Sequence, residues 1–274
     1  MSDVSFQYPG GPLVLRSISL RIQRGEFVAI VGRNGSGKST LCRLMNGLLL
    51  PSSGTVLVEG VDTRLPGTEL FVRATVAMVF QIPDNQIVAT VVEEDVAFGP
   101  ENLGLSLPEL RERVRAALEA VGLWEKRSWP PHFLSEAEKH RLVLAGALAL
   151  RPRYLVLDET TAMLDQSGRN QVFNIIREVH KQGTAVVLVT HDMREAREAE
   201  RVIALGAGTV AYDGPPSELF AAAELPEQLG LLPPPATRLA RELHRRISAI
   251  PPHLLWPQEL AEAIWSAIDG RRRS

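Results

Sequence analysis

One cysteine, Cys42, is all that the 274 residues contain, which excludes an internal disulfide framework and suits a reducing compartment. Long apolar runs are missing as well. None nears the roughly 18–20 residues that a membrane-spanning helix requires, so other chains are expected to cross any membrane this protein serves. The N-terminus, MSDVSFQYPGG, lacks the basic-then-apolar layout of a signal peptide, and no secretory leader is expected. Neither sign of charge dominates: 30 Lys and Arg face 32 Asp and Glu, a formal net charge of −2. No overall positive field therefore favours nucleic acid or anionic lipid. There is no repeat and no low-complexity linker.

What is present is ordinary globular composition, 45% hydrophobic and 23% charged, enough for one large core or a core with a subdomain. Val4, Phe6 and Tyr8, then Val14, Ile18, Leu20 and Ile22, alternate in the manner of strands. A glycine-rich turn separates the apolar run Phe27-Val28-Ala29-Ile30-Val31 from a periodic helix beginning near Lys38. Short strands are predicted over residues 55–58 and 75–79. Helical periodicity takes over from about residue 84 to 150, at 107–121 and 136–150. Strands return at 154–157 and 185–190, around a helix over 166–182. Parallel strands alternating with helices, interrupted by a helical insert, define an α/β core with an α subdomain. Beyond about Pro215 the chain is proline-punctuated and helical.

The strongest chemical signal is GRNGSGKS at residues 32–39, in a strand–loop–helix context. Glycines Gly32, Gly35 and Gly37 let the backbone wrap phosphates so that its N–H groups point inward, and the helix start adds a favourable dipole. Asn34 and Ser36 complete the loop. Lys38 is expected to reach the β- and γ-phosphates, Ser39 to bind Mg²⁺, and Thr40 to support the cradle. The second signal is Tyr154-Leu155-Val156-Leu157-Asp158-Glu159, an apolar strand ending in two carboxylates. By itself such a strand end is common and structural; behind a phosphate loop it gains a role. Asp158 can hold Mg²⁺, and Glu159 can polarise the attacking water. Gln81, after the strand at 76–80, could sense Mg²⁺ or water. His191 could contact the γ-phosphate, and Tyr8 could stack on adenine. Each of these three, read singly, is more often a loop, surface or core residue.

Taken in order, Tyr8, the phosphate loop, Gln81, Leu134-Ser135, LVLDE, Ala162-Met163-Leu164-Asp165 and Thr190-His191-Asp192 resemble the ABC ATPases over about residues 1–220. The resemblance implies an α/β P-loop NTPase core with an antiparallel β subdomain and an α-helical subdomain at about 84–150. It also implies that two subunits sandwich ATP, with Ser135 of one chain meeting the nucleotide of the other. A narrower likeness lies in FQIPDNQIV (80–88) and EEDVAFGPEN (93–102), which are similar to the ATPases of energy-coupling factor (ECF) transporters, including the cobalt-uptake branch. By that likeness, residues 221–274 form a helical extension that helps hold two ATPases together. The complex would add a transmembrane scaffold and a substrate-binding membrane subunit, with the ATPase peripheral on the cytoplasmic face of the membrane and a vitamin or transition-metal ion as cargo.

One motif departs from the family. Its signature reads roughly LSGGQ or LSGGE, whereas this chain has Leu134-Ser135-Glu136-Ala137-Glu138. Ser135 and Glu138 still form an S-x-x-E capping box. Close backbone approach to a phosphate is lost with the glycines. Glu136 also brings a negative charge: at ~5 Å and an effective dielectric of ~20, it repels an anion by roughly 3 kcal/mol. A heterodimer with one strong and one weak ATP site is therefore favoured, two identical chains being the alternative. A soluble ABC ATPase acting on DNA or ribosomes is disfavoured by the charge balance and the single nucleotide-binding unit. A nucleotide-switched module without hydrolysis is disfavoured by Glu159.

Overall fold

The computed structural model describes residues 1–222 and 224–273, of which 269–273 are described by their backbone alone. Two compact units are present: Met1–Phe27 with Gly37–Val189, and Val28–Ser36 with Thr190–Ser274. The extension expected from residue 221 lies inside the second unit.

Along the chain, strands β1 (Ser2–Gln7), β2 (Leu13–Ile18) and β3 (Phe27–Gly32) lead into helix α1 (Lys38–Met45). Next come the short strands β4 (Ser53–Thr55), β5 (Leu57–Val58) and β6 (Val61–Asp62), then α2 (Glu69–Thr75) and β7 (Val76–Val79). The expected strand at 55–58 is divided. Ser53–Thr55 joins β1, whereas Leu57–Val58 pairs with Val61–Asp62. The cause is the two-residue turn Glu59-Gly60, where φ is 50° and 84°. Positive φ at both centres is the hairpin geometry that matches strand twist, so β5 turns back at once. The Glu59 carboxylate is held at about pKa 2 by hydrogen bonds from Arg24 and Tyr154, with further attraction from Arg153.

The helical insert comprises α3 (Val92–Asn102), α4 (Leu107–Ala120) and α5 (Glu136–Ala149). Helix α5 starts where the capping box places it. Ser135 N–H donates to Glu138 Oε2 at 3.0 Å, and Glu138 N–H donates to Ser135 Oγ at 3.4 Å. Strand β8 (Tyr154–Asp158) and helix α6 (Gln166–Lys181) follow, then β9 (Ala185–Val189). Asp165 caps α6 by accepting from Gly168 N–H at 2.7 Å, and its buried face, Val172, Phe173, Ile176 and Val179, has helical spacing.

In the first unit β1 lies between β2 and β4, antiparallel to both. Strands β7, β8 and β9 are parallel in that order, with Val79 opposite Leu157 and Asp158 opposite Val189. Parallel strands buried on both faces read as continuous apolar runs, as Leu155–Leu157 and Ala185–Val189 do. Cys42 on α1 is fully buried, and burial pushes its thiol well above the ordinary range.

The second unit pairs β3 in parallel with β10 (Arg201–Gly206), whose other side is antiparallel to β11 (Thr209–Gly214). Short α7 (Met193–Ala196) precedes β10, while α8 (Pro216–Ala221) and α9 (Leu225–Gln228) follow β11. Then come α10 (Pro235–His244) and α11 (Pro257–Arg273). These last two share a small core of Ala236, Ala240, Ile250 and Leu260. Leu232 and Trp265 remain 76% and 72% exposed. No helix among the described residues is long and apolar enough to cross a membrane.

Candidate active site

The carboxyl ends of parallel strands are where open α/β sheets bind ligands. In the first unit β7 and β8 end there, carrying Gln81 just beyond Val79 and the pair Asp158-Glu159. Helix α1 brings Lys38, Ser39 and Thr40 to the same place. Ser39 Oγ donates to Asp158 Oδ1 at 3.0 Å, across 119 residues of sequence. Lys38 Nζ lies 3.5 Å from Glu159 Oε1, with the lysine side chain only 5% exposed. Gln81 Nε2 donates to Glu159 Oε2 at 3.3 Å. The Glu159 carboxylate thus lies between the phosphate-loop lysine and the glutamine. Tyr8 and Thr40 are also brought together, hydroxyl to hydroxyl at 3.2 Å, while the Tyr8 ring packs edge-on against Phe6.

Glu159 itself adopts φ 51°, unusual for a residue with a side chain. Its N–H donates to Val189 O and its carbonyl accepts from Ala162 N–H, both at 3.1 Å. Such strain, of order 1–3 kcal/mol, persists where surrounding bonds over-determine the backbone, and it clusters at functional sites.

Helix α1 begins at Gly37, φ 102°. The loop before it, Gly32–Ser36, belongs to the second unit. There Gly32 (φ 149°) comes so close to β10 that a Cβ would stand 2.5 Å from Leu205 O and 2.7 Å from Ser36 Oγ. Ser36 Oγ is buried without a hydrogen-bond partner. Asn34 and Gly35 are exposed, as is His191 on the segment after β9.

These residues fit a phosphate-bound Mg²⁺. Among the described residues no group of three or more His, Cys, Asp or Glu could hold a metal ion. Mg²⁺ needs no such cage, because it takes one or two carboxylates and completes its shell with phosphate oxygens and water. The Ser39 hydroxyl and Asp158 carboxylate supply hard oxygens side by side. Burial, joined by the charge of Glu159, raises the Asp158 pKa above its usual value of 3.8 despite the bond from Ser39. A raised folded-state value means that this part of the stability is present below about pH 4 and lost as pH rises through it. Asp158→Asn, which keeps an acceptor for Ser39, is therefore expected to raise the Tm of the nucleotide-free chain at neutral pH by about 2 °C. The gain should shrink below pH 4, and differential scanning calorimetry at both pH values checks it.

Three residues of the site region carried no role from the sequence. Gln86 Oε1 accepts from Phe80 N–H at 3.1 Å and its Nε2 donates to Met78 O at 2.9 Å, clamping the turn after β7. Asp95 accepts from Val88 and Ala89 N–H at 2.7 and 3.0 Å. Lys139 on α5 pairs with Asp84 in the same turn. The first two lie in the PDNQ and EEDVAFGPEN motifs; Lys139 had no signal.

A phosphate loop opening α1, a neighbouring strand ending in Asp-Glu and a glutamine touching that glutamate define a P-loop ATPase. Residues 15–162 match the ABC transporter family, and the chain belongs to it. It is 47% identical over 267 residues, 96% of each chain, to "Energy-coupling factor transporter ATP-binding protein EcfA1" of Caldanaerobacter subterraneus subsp. tengcongensis. To the protein of that name in Symbiobacterium thermophilum it is 52% identical over 253 residues, 92% of this chain and 88% of the relative. The structure of CbiO1 from Clostridium perfringens, part of the ABC transporter complex CbiONQ, matches with a TM-score of 0.75 and 33% identity, covering 90% of this chain and 94% of that one. Within the ABC ATPases, the chain is a member of the energy-coupling factor transporter ATP-binding proteins.

Proposed function

We propose that this chain hydrolyses ATP to energise an importer of the energy-coupling factor type, taking up a vitamin or transition-metal ion through a separate membrane scaffold. The carrying observation is the Glu159 carboxylate set between Lys38 and Gln81, one residue beyond an Asp158 joined to Ser39.

Residues 1–220 act as the nucleotide-binding domain, with its helical subdomain at about 84–150. The backbone of Gly32, Asn34, Gly35, Ser36 and Gly37 and the Thr40 hydroxyl surround the phosphates, while Tyr8 stacks on adenine. Lys38 neutralises the β- and γ-phosphates and must leave Glu159 to do so, which frees the carboxylate to take a proton from water. Gln81 orients that water and reaches the metal, and His191 contacts the γ-phosphate. Ser39 and Asp158 would hold Mg²⁺, which would supply charge neutralisation to the phosphates. Positioning and charge stabilisation supply most of the acceleration.

The partners are a second ABC ATPase, a transmembrane scaffold and a substrate-binding membrane subunit, with this chain peripheral on the cytoplasmic face. Residues 221–274 contact the second ATPase. Exposed Leu232, Leu239 and Trp265 offer apolar surface on this extension for that contact. A heterodimer is favoured by the start of α5. The first N–H groups of a helix are free to bind an anion, but here Glu136 and Ala137 stand where the family signature has glycines, and the close backbone approach that glycine allows is lost. Glu136→Gly with Ala137→Gly is expected to raise ATP turnover of the assembled complex severalfold. An unchanged rate would sink the two-unequal-sites arrangement. The whole proposal is checked by the ATPase rate of the purified chain alone and then within its complex: low alone and rising on assembly is the expected result.

A further inference from the structure

The turn after Gln81 is stiff. Pro83–Asn85 forms one 3₁₀ turn, and the Gln86 side chain ties its base to Met78 and Phe80. Asp84 is thereby presented to Lys139, whose Nζ lies 2.9 Å from Asp84 Oδ1. The same Nζ lies 3.2 Å from Glu136 Oε1, one turn earlier on α5. An ammonium has three donors, so both bonds coexist. The lysine side chain is 15% exposed, the Asp84 and Glu136 side chains 58% and 64%. A largely buried cation thus holds two surface carboxylates.

No other described cation serves Glu136. The nearby Lys126 and Arg141 are committed to Glu138, at 2.5 and 3.8 Å. His140, directly after Lys139, is buried with both ring nitrogens unpartnered, and burial lowers its pKa, so it remains neutral.

We propose that Lys139 is a positioning residue: it holds the Glu136 carboxylate aside from the nucleotide bound by the opposing ATPase, and Asp84 fixes the lysine in place. This rests on the start of α5 facing that nucleotide. The substitution of a signature glycine by glutamate is then tolerated because the new charge is tied along the helix surface. Without the lysine, the carboxylate is free to swing over the N–H groups of the first turn and repel the γ-phosphate.

The test is steady-state ATPase kinetics on the complete transporter complex carrying the full-length chain. Lys139→Ala is expected to raise KM for ATP up to about fivefold, the range of a partly exposed ion pair, with kcat little changed. Asp84→Asn shifts KM the same way but less. Lys139→Arg keeps the wild-type KM. The decisive variant is Glu136→Ala with Lys139→Ala, which restores KM if the lysine acts through Glu136. A KM as high in the double variant as in Lys139→Ala assigns the lysine a purely structural role and overturns the proposal, as does a wild-type KM in Lys139→Ala. Ser135→Arg separates the premise from the inference: if this bulky change leaves turnover intact, α5 does not face the nucleotide at all.

Discussion

Glu159→Gln is expected to lower ATP turnover about 10³-fold while ATP binding survives, within the 10²–10⁴ range that general base catalysis contributes. The carboxylate is placed between Lys38 and Gln81. Asp158 is engaged by Ser39. The amide is nearly isosteric and cannot accept a proton from water. It also releases Lys38 from an ion pair that phosphate must otherwise break, so affinity for ATP should hold or tighten. Turnover in single-cycle kinetics and binding by titration of a fluorescent ATP analogue separate the two effects. The positive φ of Glu159 supplies a further check. Glu159→Gly should match the glutamine variant in lost activity yet melt higher, because glycine adopts that backbone without strain. Wild-type turnover in Glu159→Gln would remove Glu159 from the role of base.

Gly32→Ala is expected to weaken ATP binding at least about 100-fold, the cost of misplacing a binding loop by roughly 1 Å. The new methyl would meet a main-chain oxygen, Leu205 O, at 2.5 Å, and that oxygen belongs to a strand paired with β3 in register Leu205↔Gly32. A flexible side chain could move aside, but a laddered carbonyl cannot. Gly35→Ala is the control. It also has positive φ, 78°, but no protein atom lies within 4 Å of its Cβ, so in the nucleotide-free chain it should cost only backbone strain of about 1–2 kcal/mol. Equal loss of thermal stability in the two nucleotide-free variants would show that φ alone, and not the approach to β10, decides the loop's shape.

The parts of this site that could be read from sequence are those where chemistry dictates residue type at fixed spacing. Phosphate binding demands glycines and a lysine at the start of a helix, and residues 32–39 supply them. Metal and water demand carboxylates at a strand end, and Asp158-Glu159 follow an unbroken apolar run. The capping box at Ser135 and Glu138 was equally plain, since a helix start is a local property. Helix α3 falls within the stretch 84–150 that reads as helical, but the sequence reading sets no bounds for it, and Gly99-Pro100 is a local break signal. In the structure Pro100 falls in the final turn, and a methyl at Gly99 would lie 3.0 Å from Leu150 Cδ2, so the glycine makes room for packing. The hairpin at Glu59-Gly60 was missed for a related reason: alternation across 55–58 does not reveal which strand each half pairs with. The tie between Lys139 and Asp84 spans 55 residues and uses two charged residues whose pairing no motif signals, so only the folded chain places them together.

The burial of Cys42 has a practical consequence for watching this protein move. It is the sole sulfhydryl in the sequence, it has no solvent exposure, and its deprotonation is suppressed. Maleimide dyes and spin labels require an accessible thiolate. A cysteine engineered at any exposed position will therefore take the label alone, without first stripping out a native one. Glu93 on α3 and Gln228 on α9 are exposed positions in the two compact units, and a donor–acceptor pair placed there would report their separation as ATP is added and spent.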